Sequence, residues 1–110
     1  MHYVLGVDGG GSKTVCILIN DNHEILKRGE AGSSNYQSVG IEAAKFSIES
    51  AINQAIIATD NIKIYAICLG LAGVGREKDI EIIKKIIKDI PVTQNIKSEN
   101  IIISHDALIA

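Results

Sequence analysis

A chain of 110 residues has room for one domain and one hydrophobic core, not for two. Its residues are 46% hydrophobic and 22% charged, which is ordinary for a globular domain and excludes an intrinsically disordered chain. The formal net charge is -2 and no basic run occurs, so neither nucleic acid nor an anionic membrane is expected as a partner.

The first residues do not resemble a targeting signal. Their apolar run lacks a basic leader and meets Asp8 too early for a signal peptide, and no apolar stretch approaches membrane-spanning length. Cys16 and Cys68 lie inside apolar runs, and two isolated cysteines form neither a disulfide framework nor a metal site. We therefore expect a cytoplasmic protein with two reduced, buried thiols.

Three strands are predicted at the start of the chain, over residues 2–8, 14–20 and 24–31. The first two are apolar and flank a glycine triplet, whereas the third is more polar, as expected near a sheet edge. Because only short turns join them, the three strands must form an antiparallel meander.

Helices and strands alternate in the rest of the chain. Ser38 is placed to cap a long helix that runs to about residue 59, and an apolar strand follows over residues 64–71. A second helix over residues 76–90 precedes a fifth strand at 101–104. The order βββαβαβ predicts an α/β fold, a five-stranded mixed sheet with helices on its faces.

The end of the sequence suggests a longer protein. Residues 107–110 are predicted to be the first turn of a further helix, so we expect residues 1–110 to be a single, truncated N-terminal domain. The apolar strand at 64–71 needs cover on both faces, and only two long helices are available to supply it. We therefore expect an exposed apolar patch near the fifth strand, and a homodimer that buries it.

The most informative motif is Gly-Val-Asp-Gly-Gly-Gly-Ser-Lys-Thr, residues 6–14. Consecutive glycines let the backbone turn tightly and direct several N–H groups the same way, which suits a phosphate. The motif is neither a Walker A loop nor a dinucleotide fingerprint, because a strand follows it where those loops require a helix. On these residues alone, a glycine-rich hairpin without a ligand stays an alternative.

Two carboxylates follow apolar strands. Asp8 directly precedes the glycine turn, where it could hold Mg²⁺ beside bound phosphates or cap the turn. Asp106 follows the fifth strand and is expected at the same sheet edge. There it could accept the proton of an attacking sugar hydroxyl, or cap a helix. His105 is expected to be structural.

Two loops carry further candidates. In the polar loop at residues 32–36, Asn35 offers the donors and acceptors that a sugar or an acetamide group needs, although a helix-capping role is equally consistent. Residues 70–76 are rich in glycine and end the apolar strand, at the sheet edge where α/β proteins tend to bind ligands.

In this order the motifs resemble those of the N-acetylglucosamine kinase and BadF/BadG/BcrA/BcrD-type ATPase family, in the actin, Hsp70 and sugar-kinase superfamily. The resemblance is carried by residues 6–14, Ser-Ser-Asn-Tyr at 33–36, Gly-Leu-Ala-Gly-Val-Gly-Arg at 70–76 and Asp-Ala at 106–107. It implies a ribonuclease H-like module and an ATP-dependent amino-sugar kinase.

The resemblance also implies a role for each matching residue. Asp8 would support Mg²⁺, Asp106 would be the general base, and Asn35, Ala72 and Gly73 would contact the sugar. The residues implied to hold the ATP phosphates are Gly9, Gly10, Gly11, Ser12, Lys13 and Thr14. The adenosine site would lie in a second domain outside this chain, so the isolated chain is not expected to turn over substrate.

Several functions stay open at this point. In amino-sugar kinases the position of Ala72 often carries a hydroxyl group and that of Val74 a glycine, so N-acetylglucosamine, glucosamine and N-acetylmuramic acid are all candidate substrates. The alternatives are an ATPase activator of a radical dehydratase or aromatic-ring reductase, and a sugar-sensing regulator without catalysis. Asn35 and Asp106 favour the kinase, because an activator need not bind a sugar or abstract a hydroxyl proton.

Overall fold

The computed structural model describes residues 2–57 and 62–104. Within them the chain forms the strands β1 (Tyr3–Gly9), β2 (Thr14–Ile19), β3 (Ile25–Ala31), β4 (Ile64–Leu71) and β5 (Ile101–Ser104). The helices are α1 (Tyr36–Val39), α2 (Ile41–Ile56) and α3 (Glu77–Asp89), and a 3₁₀ turn at Ser98–Asn100 precedes β5. No helix in these two ranges has the length and apolar character needed to cross a membrane.

The strands form one sheet in the order β3-β2-β1-β4-β5. β1, β2 and β3 form the expected antiparallel meander, while β4 runs parallel to β1 and β5 parallel to β4. The predicted five-stranded mixed sheet is therefore confirmed. Because β1, β4 and β5 run in the same direction, their carboxyl ends meet at one edge of the sheet.

One face of the sheet carries the hydrophobic core. Side chains alternate along each strand, so Leu5 and Val7 of β1 and Ile67 and Leu69 of β4 all point to this face and are fully buried. Helix α2 packs over β2 and β3, and α3 packs beside β5. The apolar stripes of both helices belong to the same core, through Ile48, Ile52, Ala55, Ile83 and Ile87.

The opposite face, which we call the open face, has no helix over it in the described ranges. Its residues Val4, Ile17 and Cys68 are half-buried, and Ile102 is 52% exposed. This differs from the expectation that the two long helices would supply cover on both faces. The chain moves across the sheet in one direction, from β1 to β4 and then to β5. Because both helical connections have the same handedness, they place α2 and α3 on the same face.

The first helix begins differently from the prediction. Ser38 is not its cap: the side chain of Asn35 accepts a hydrogen bond from the backbone N–H of Gln37 at 3.1 Å and caps the short helix α1. Gly40 then has a φ of +91°, a conformation open to glycine, and it separates α1 from α2. The single predicted helix is therefore two helices.

The later elements agree closely with the sequence. β4 and β5 have the predicted bounds, and α3 is one residue shorter at each end. Cys16 is buried, which raises the pKa of its thiol to about 12, as expected of an inert cysteine. The helix predicted at 107–110 lies outside the described residues, as do His105 and Asp106.

Candidate functional site

Three loops converge at the carboxyl ends of β1 and β4. They are the turn between β1 and β2 (residues 10–13), the loop after β3 (residues 32–35) and the loop after β4 (residues 72–76). The Ser33 hydroxyl donates to the Gly10 carbonyl at 3.4 Å, and the Ala72 N–H donates to the Gly9 carbonyl at 2.8 Å. All three loops are thus joined around the end of β1.

The glycines of the turn differ in what the fold demands of them. Gly9 is buried, and a Cβ there would lie 2.7 Å from the Leu71 Cδ2 atom and closer still to the Ser34 hydroxyl. Among the described residues, a Cβ at Gly11 would meet nothing within 4 Å, and one at Gly10 only the Lys13 carbonyl oxygen at 3.9 Å. The fold therefore requires glycine at position 9, whereas positions 10 and 11 leave open space above the turn.

The other residues of the glycine motif are divided between solvent and core. Ser12 and Lys13 are exposed, and the Lys13 ammonium lies 3.9 Å from the Glu30 carboxylate. Thr14 is fully buried, and its hydroxyl donates to the Gly32 carbonyl at 2.7 Å. The Thr14 side chain thus ties the start of β2 to the loop after β3.

Asp8 lies on the open face next to this turn. It is exposed and stands in register with Val15 of β2 and Gly70 of β4. Its carboxylate forms no hydrogen bond or ion pair with residues 2–57 or 62–104, so it does not cap the turn there. In the same ranges no three His, Cys, Asp or Glu side chains group together in a way that could hold a metal ion.

The register also relates Asp8 to β5. Gly70, the partner of Asp8, pairs in turn with Ser104, the last residue of β5. The sequence therefore leaves β5 toward Asp106 from the edge at which Asp8 lies. Asp106 itself is outside the described residues, and its position beside Asp8 stays a prediction.

The structure brings together the residues predicted to contact a sugar. Asn35 packs so closely on Gly73 that a Cβ at Gly73 would lie 2.9 Å from the Asn35 Cγ atom. The Asn35 N–H donates to the Ser33 hydroxyl at 3.1 Å, and its Oδ1 atom is used by the cap of α1. Its Nδ2 group donates to no residue of the described ranges and is available to a ligand.

A cluster that sequence reasoning missed lies beneath these loops. Asp79, in the first turn of α3, is 1% exposed and accepts hydrogen bonds from the Tyr36 hydroxyl and from the backbone N–H groups of Gly75 and Arg76. The bond from Tyr36 and those from Gly75 and Arg76 lower the pKa of Asp79 to about 2. Conversely, the bond to Asp79 raises the pKa of Tyr36.

Gln37 adds a further link between the same loops. Its Nε2 atom donates to the Gly73 carbonyl at 2.6 Å and lies 3.5 Å from the Asp79 carboxylate. An open cavity of about 420 Å³ adjoins this contact, lined by Gln37, Gly73, Val74, Gly75, Arg76 and Asp79. The sequence carries one signal of this cluster: Asp79 is an acidic residue three positions after Arg76, at the start of a predicted helix.

Comparison with known proteins gives one family. The sequence model of the BadF/BadG/BcrA/BcrD ATPase family matches residues 5–110. N-acetyl-D-glucosamine kinase of Dictyostelium discoideum is 35% identical over 115 aligned positions, covering 96% of this chain and 35% of that protein. An N-acetylmuramic acid/N-acetylglucosamine kinase of Clostridium acetobutylicum is 33% identical over 92 positions, covering 82% of this chain and 30% of that protein. The chain thus spans about a third of the length of these relatives.

Solved structures share the fold. A presumed N-acetylglucosamine kinase from Chromobacterium violaceum superposes with a TM-score of 0.63 at 26% identity, over 93% of this chain and 34% of that one. Gluconate kinase from Lactobacillus acidophilus superposes with a TM-score of 0.53 at 22% identity, over 64% of this chain and 15% of that one. This is a likeness of fold alone. The predicted α/β fold class, the actin-like ATPase module, is confirmed.

Proposed function

This chain belongs to the BadF/BadG/BcrA/BcrD ATPase family, and we propose that it is the phosphate- and sugar-binding part of an ATP-dependent amino-sugar kinase. One observation carries the proposal: the glycine turn, the Asp8 carboxylate, which bonds to no described residue, and the Asn35–Gly73 contact lie at one edge of the sheet. Such an edge is where α/β proteins bind their ligands.

The glycine turn supports phosphate binding. Positions 10 and 11 need neither a positive φ nor the absence of a side chain for the turn to form. Glycines that the fold does not require are explained if a ligand approaches the backbone closely, as a phosphate does when it accepts main-chain N–H bonds. We assign the ATP phosphates to residues 9–14, through the backbone and the exposed side chains of Ser12 and Lys13.

Asp8 supports a magnesium site. Mg²⁺ is commonly held by one or two carboxylates together with substrate phosphates, and it keeps several waters. A single exposed carboxylate next to a phosphate-binding turn fits that requirement without a cluster of acidic side chains. When bound there, Mg²⁺ would neutralise charge on the phosphates.

The loops after β3 and β4 support binding of the sugar acceptor. The Asn35 Nδ2 group lies beside Gly73 and donates to no described residue, and a primary amide can pair with an acetamide or a hydroxyl group. Both curated relatives are named as kinases of N-acetylated amino sugars, which favours N-acetylglucosamine or N-acetylmuramic acid and favours the kinase over the activator.

We assign the general base to Asp106. Its carboxylate accepts the proton of the sugar hydroxyl, whose oxygen forms a bond to the γ-phosphorus while the bond to the leaving ADP breaks. We place the contacts to adenosine in a second domain outside this chain. The products are a sugar phosphate and ADP.

The test is phosphoryl transfer by the complete gene product, with Mg·ATP and a panel of N-acetylglucosamine, glucosamine and N-acetylmuramic acid. We expect a sugar phosphate, and Asp106→Asn should lower kcat by roughly two to four orders of magnitude with little change in sugar KM. Asp89→Asn, which removes an exposed carboxylate at the end of α3, is the control. ATP hydrolysis without any sugar phosphate would refute the kinase, and wild-type activity in Asp106→Asn would refute the base.

A further inference from the structure

The Asp79 carboxylate links two loops that are far apart in sequence. Its Oδ1 atom accepts from Tyr36, which directly follows Asn35, and its Oδ2 atom accepts from the N–H groups of Gly75 and Arg76 at 3.1 and 3.0 Å. One buried side chain therefore fixes the residues that flank both halves of the Asn35–Gly73 contact.

A second connection reinforces the first. The Gln37 amide spans from the loop after β3 to the Gly73 carbonyl at 2.6 Å, beside the same carboxylate. Asn35 meets Gly73 without room for a Cβ atom between them, so a small shift of either loop would change that contact. Tyr36 lies in α1 and Asp79 in α3, both outside the sheet, and the bond that joins them is made by their side chains.

We propose that Asp79 is a positioning residue for the sugar acceptor, because it holds the loop of Asn35 against the loop of Gly73 in one geometry. This inference rests on the proposed kinase function. Asp79 need not touch the sugar, and it acts through Asn35 and Gly73. Its low pKa means that the carboxylate is ionised, and so accepts all of these bonds, throughout the physiological pH range.

Loss of the carboxylate should affect the sugar and ATP differently. Without Asp79 the two loops must be ordered by the sugar itself, which raises its KM. The glycine turn touches the same loops through Ser33 and Ala72, but it is also held by bonds that do not involve Asp79, namely the Gly10 N–H to Lys13 carbonyl bond and the pairing of β1 with β2 and β4. The KM for ATP should therefore stay within about twofold. For the sugar, displacement of contact groups by about an ångström can lower the rate of reaction by up to about a hundredfold.

The experiment compares Asp79→Asn, Tyr36→Phe and their double variant in the complete gene product. We expect the sugar KM to rise roughly tenfold or more in Asp79→Asn, with a smaller rise in Tyr36→Phe and no further rise in the double variant. Glu77→Gln is the matched control, because Glu77 lies in the same helical turn and its exposed side chain bonds to no described residue. An unchanged sugar KM in Asp79→Asn, or an equal rise in the KM for ATP, would overturn the proposal.

Amide hydrogen exchange in the 110-residue chain separates this idea from the kinase hypothesis. We expect the Gly75 and Arg76 amides to exchange at least tenfold faster in Asp79→Asn than in the wild type, and to be unaffected in Glu77→Gln. Unchanged exchange would overturn the loop link whatever the enzyme does. A different outcome is that exchange accelerates in Asp79→Asn while the wild-type protein phosphorylates no amino sugar. In that case the proposed function and the sugar-positioning role both fail, whereas the link between the two loops through Asp79 stands. If Asp79→Asn does not fold, Tyr36→Phe, which removes a single hydroxyl, tests the link through the sugar KM, which should rise while the KM for ATP does not.

Discussion

Adjacent glycines in the turn between β1 and β2 serve different purposes. Gly9 is enclosed by the side chains of Ser34 and Leu71, while Gly11 faces open space. A methyl group added at Gly9 must displace core side chains. A methyl group added at Gly11 contacts no described residue and would obstruct an external ligand. The pair therefore separates what the fold needs from what binding needs.

This difference gives a matched pair of substitutions. Gly9→Ala should destabilise the protein by about 1–3 kcal/mol, because the added methyl group overpacks the core. Gly11→Ala should change stability by no more than about 0.5 kcal/mol and should raise the KM for ATP. Urea denaturation and ATP kinetics on both variants check this. A Gly11→Ala variant with wild-type ATP affinity would argue for a hairpin without a ligand.

Asp79 also predicts a dependence of stability on pH. Its pKa is lowered to about 2 in the folded protein, against about 3.9 for an unfolded aspartate. A lowered folded pKa stabilises the fold at pH values above the unfolded pKa, and this contribution is lost as the pH falls through the folded pKa. The stability difference between wild type and Asp79→Asn should therefore be constant from pH 7 to 5 and shrink between about pH 4 and 2.

Chemical denaturation at a series of pH values measures that difference. The Glu77→Gln variant is the control and should not reproduce the change seen in Asp79→Asn, because the exposed Glu77 side chain bonds to no described residue. If the difference between wild type and Asp79→Asn stayed constant down to pH 2, the buried carboxylate would not be the group that the fold stabilises.

Among the elements, β3 has its free edge partly paired by a side chain. The Gln54 amide of α2 donates to the Glu30 carbonyl at 2.9 Å and accepts from the Glu30 N–H at 3.1 Å. It thereby occupies a donor and an acceptor of the edge strand that another strand would otherwise use. Helix α2 thus both covers the core and protects the sheet edge.

Removal of this amide tests the role of Gln54. Gln54→Ala should lower stability by about 1 kcal/mol, because two hydrogen bonds are exchanged for bonds to water, and should promote pairing through β3. Asn53→Ala is the control, since Asn53 is the exposed neighbour and its side chain bonds to no described residue. Urea denaturation and sedimentation velocity give the two readouts. Equal effects of the two substitutions would show that the Gln54 pairing contributes nothing.

How far each element could be predicted depends on how local its causes are. β4 and β5 have the predicted bounds because apolar composition and flanking turns specify them locally. The break at Gly40 was missed because Ser38 and Asn35 could both cap a helix, and because an isolated glycine is also tolerated inside a helical pattern. Asp79 was missed because its partner Tyr36 is 43 residues away, and no sequence spacing reports a side-chain bond over that separation.

At the scale of the whole molecule, the two faces of the sheet are unlike. Both long helices pack on one face, and the open face keeps half-buried apolar side chains on β1, β2 and β4 and the exposed Ile102 on the edge strand β5. Apolar side chains left without cover favour association in water. The sequence-based expectation of a homodimer therefore acquires a specific candidate surface, which stays a prediction.

We expect the 110-residue chain to dimerise at micromolar concentration through the open face. Ile102→Lys should shift it toward monomer, because a charge placed in the interface has to be desolvated on association. Phe46→Lys is the matched control: Phe46 is 73% exposed on α2, on the helical layer opposite the open face, so its replacement should leave the dimer intact. Sedimentation velocity distinguishes these outcomes. A monomeric wild type would rule out the dimer, and equal loss of dimer in both variants would place the interface elsewhere. Calorimetry on the same samples should show only weak binding of Mg·ATP, because phosphate contacts without an adenosine pocket hold little of the ligand. Tight binding would reveal a nucleotide site within these 110 residues.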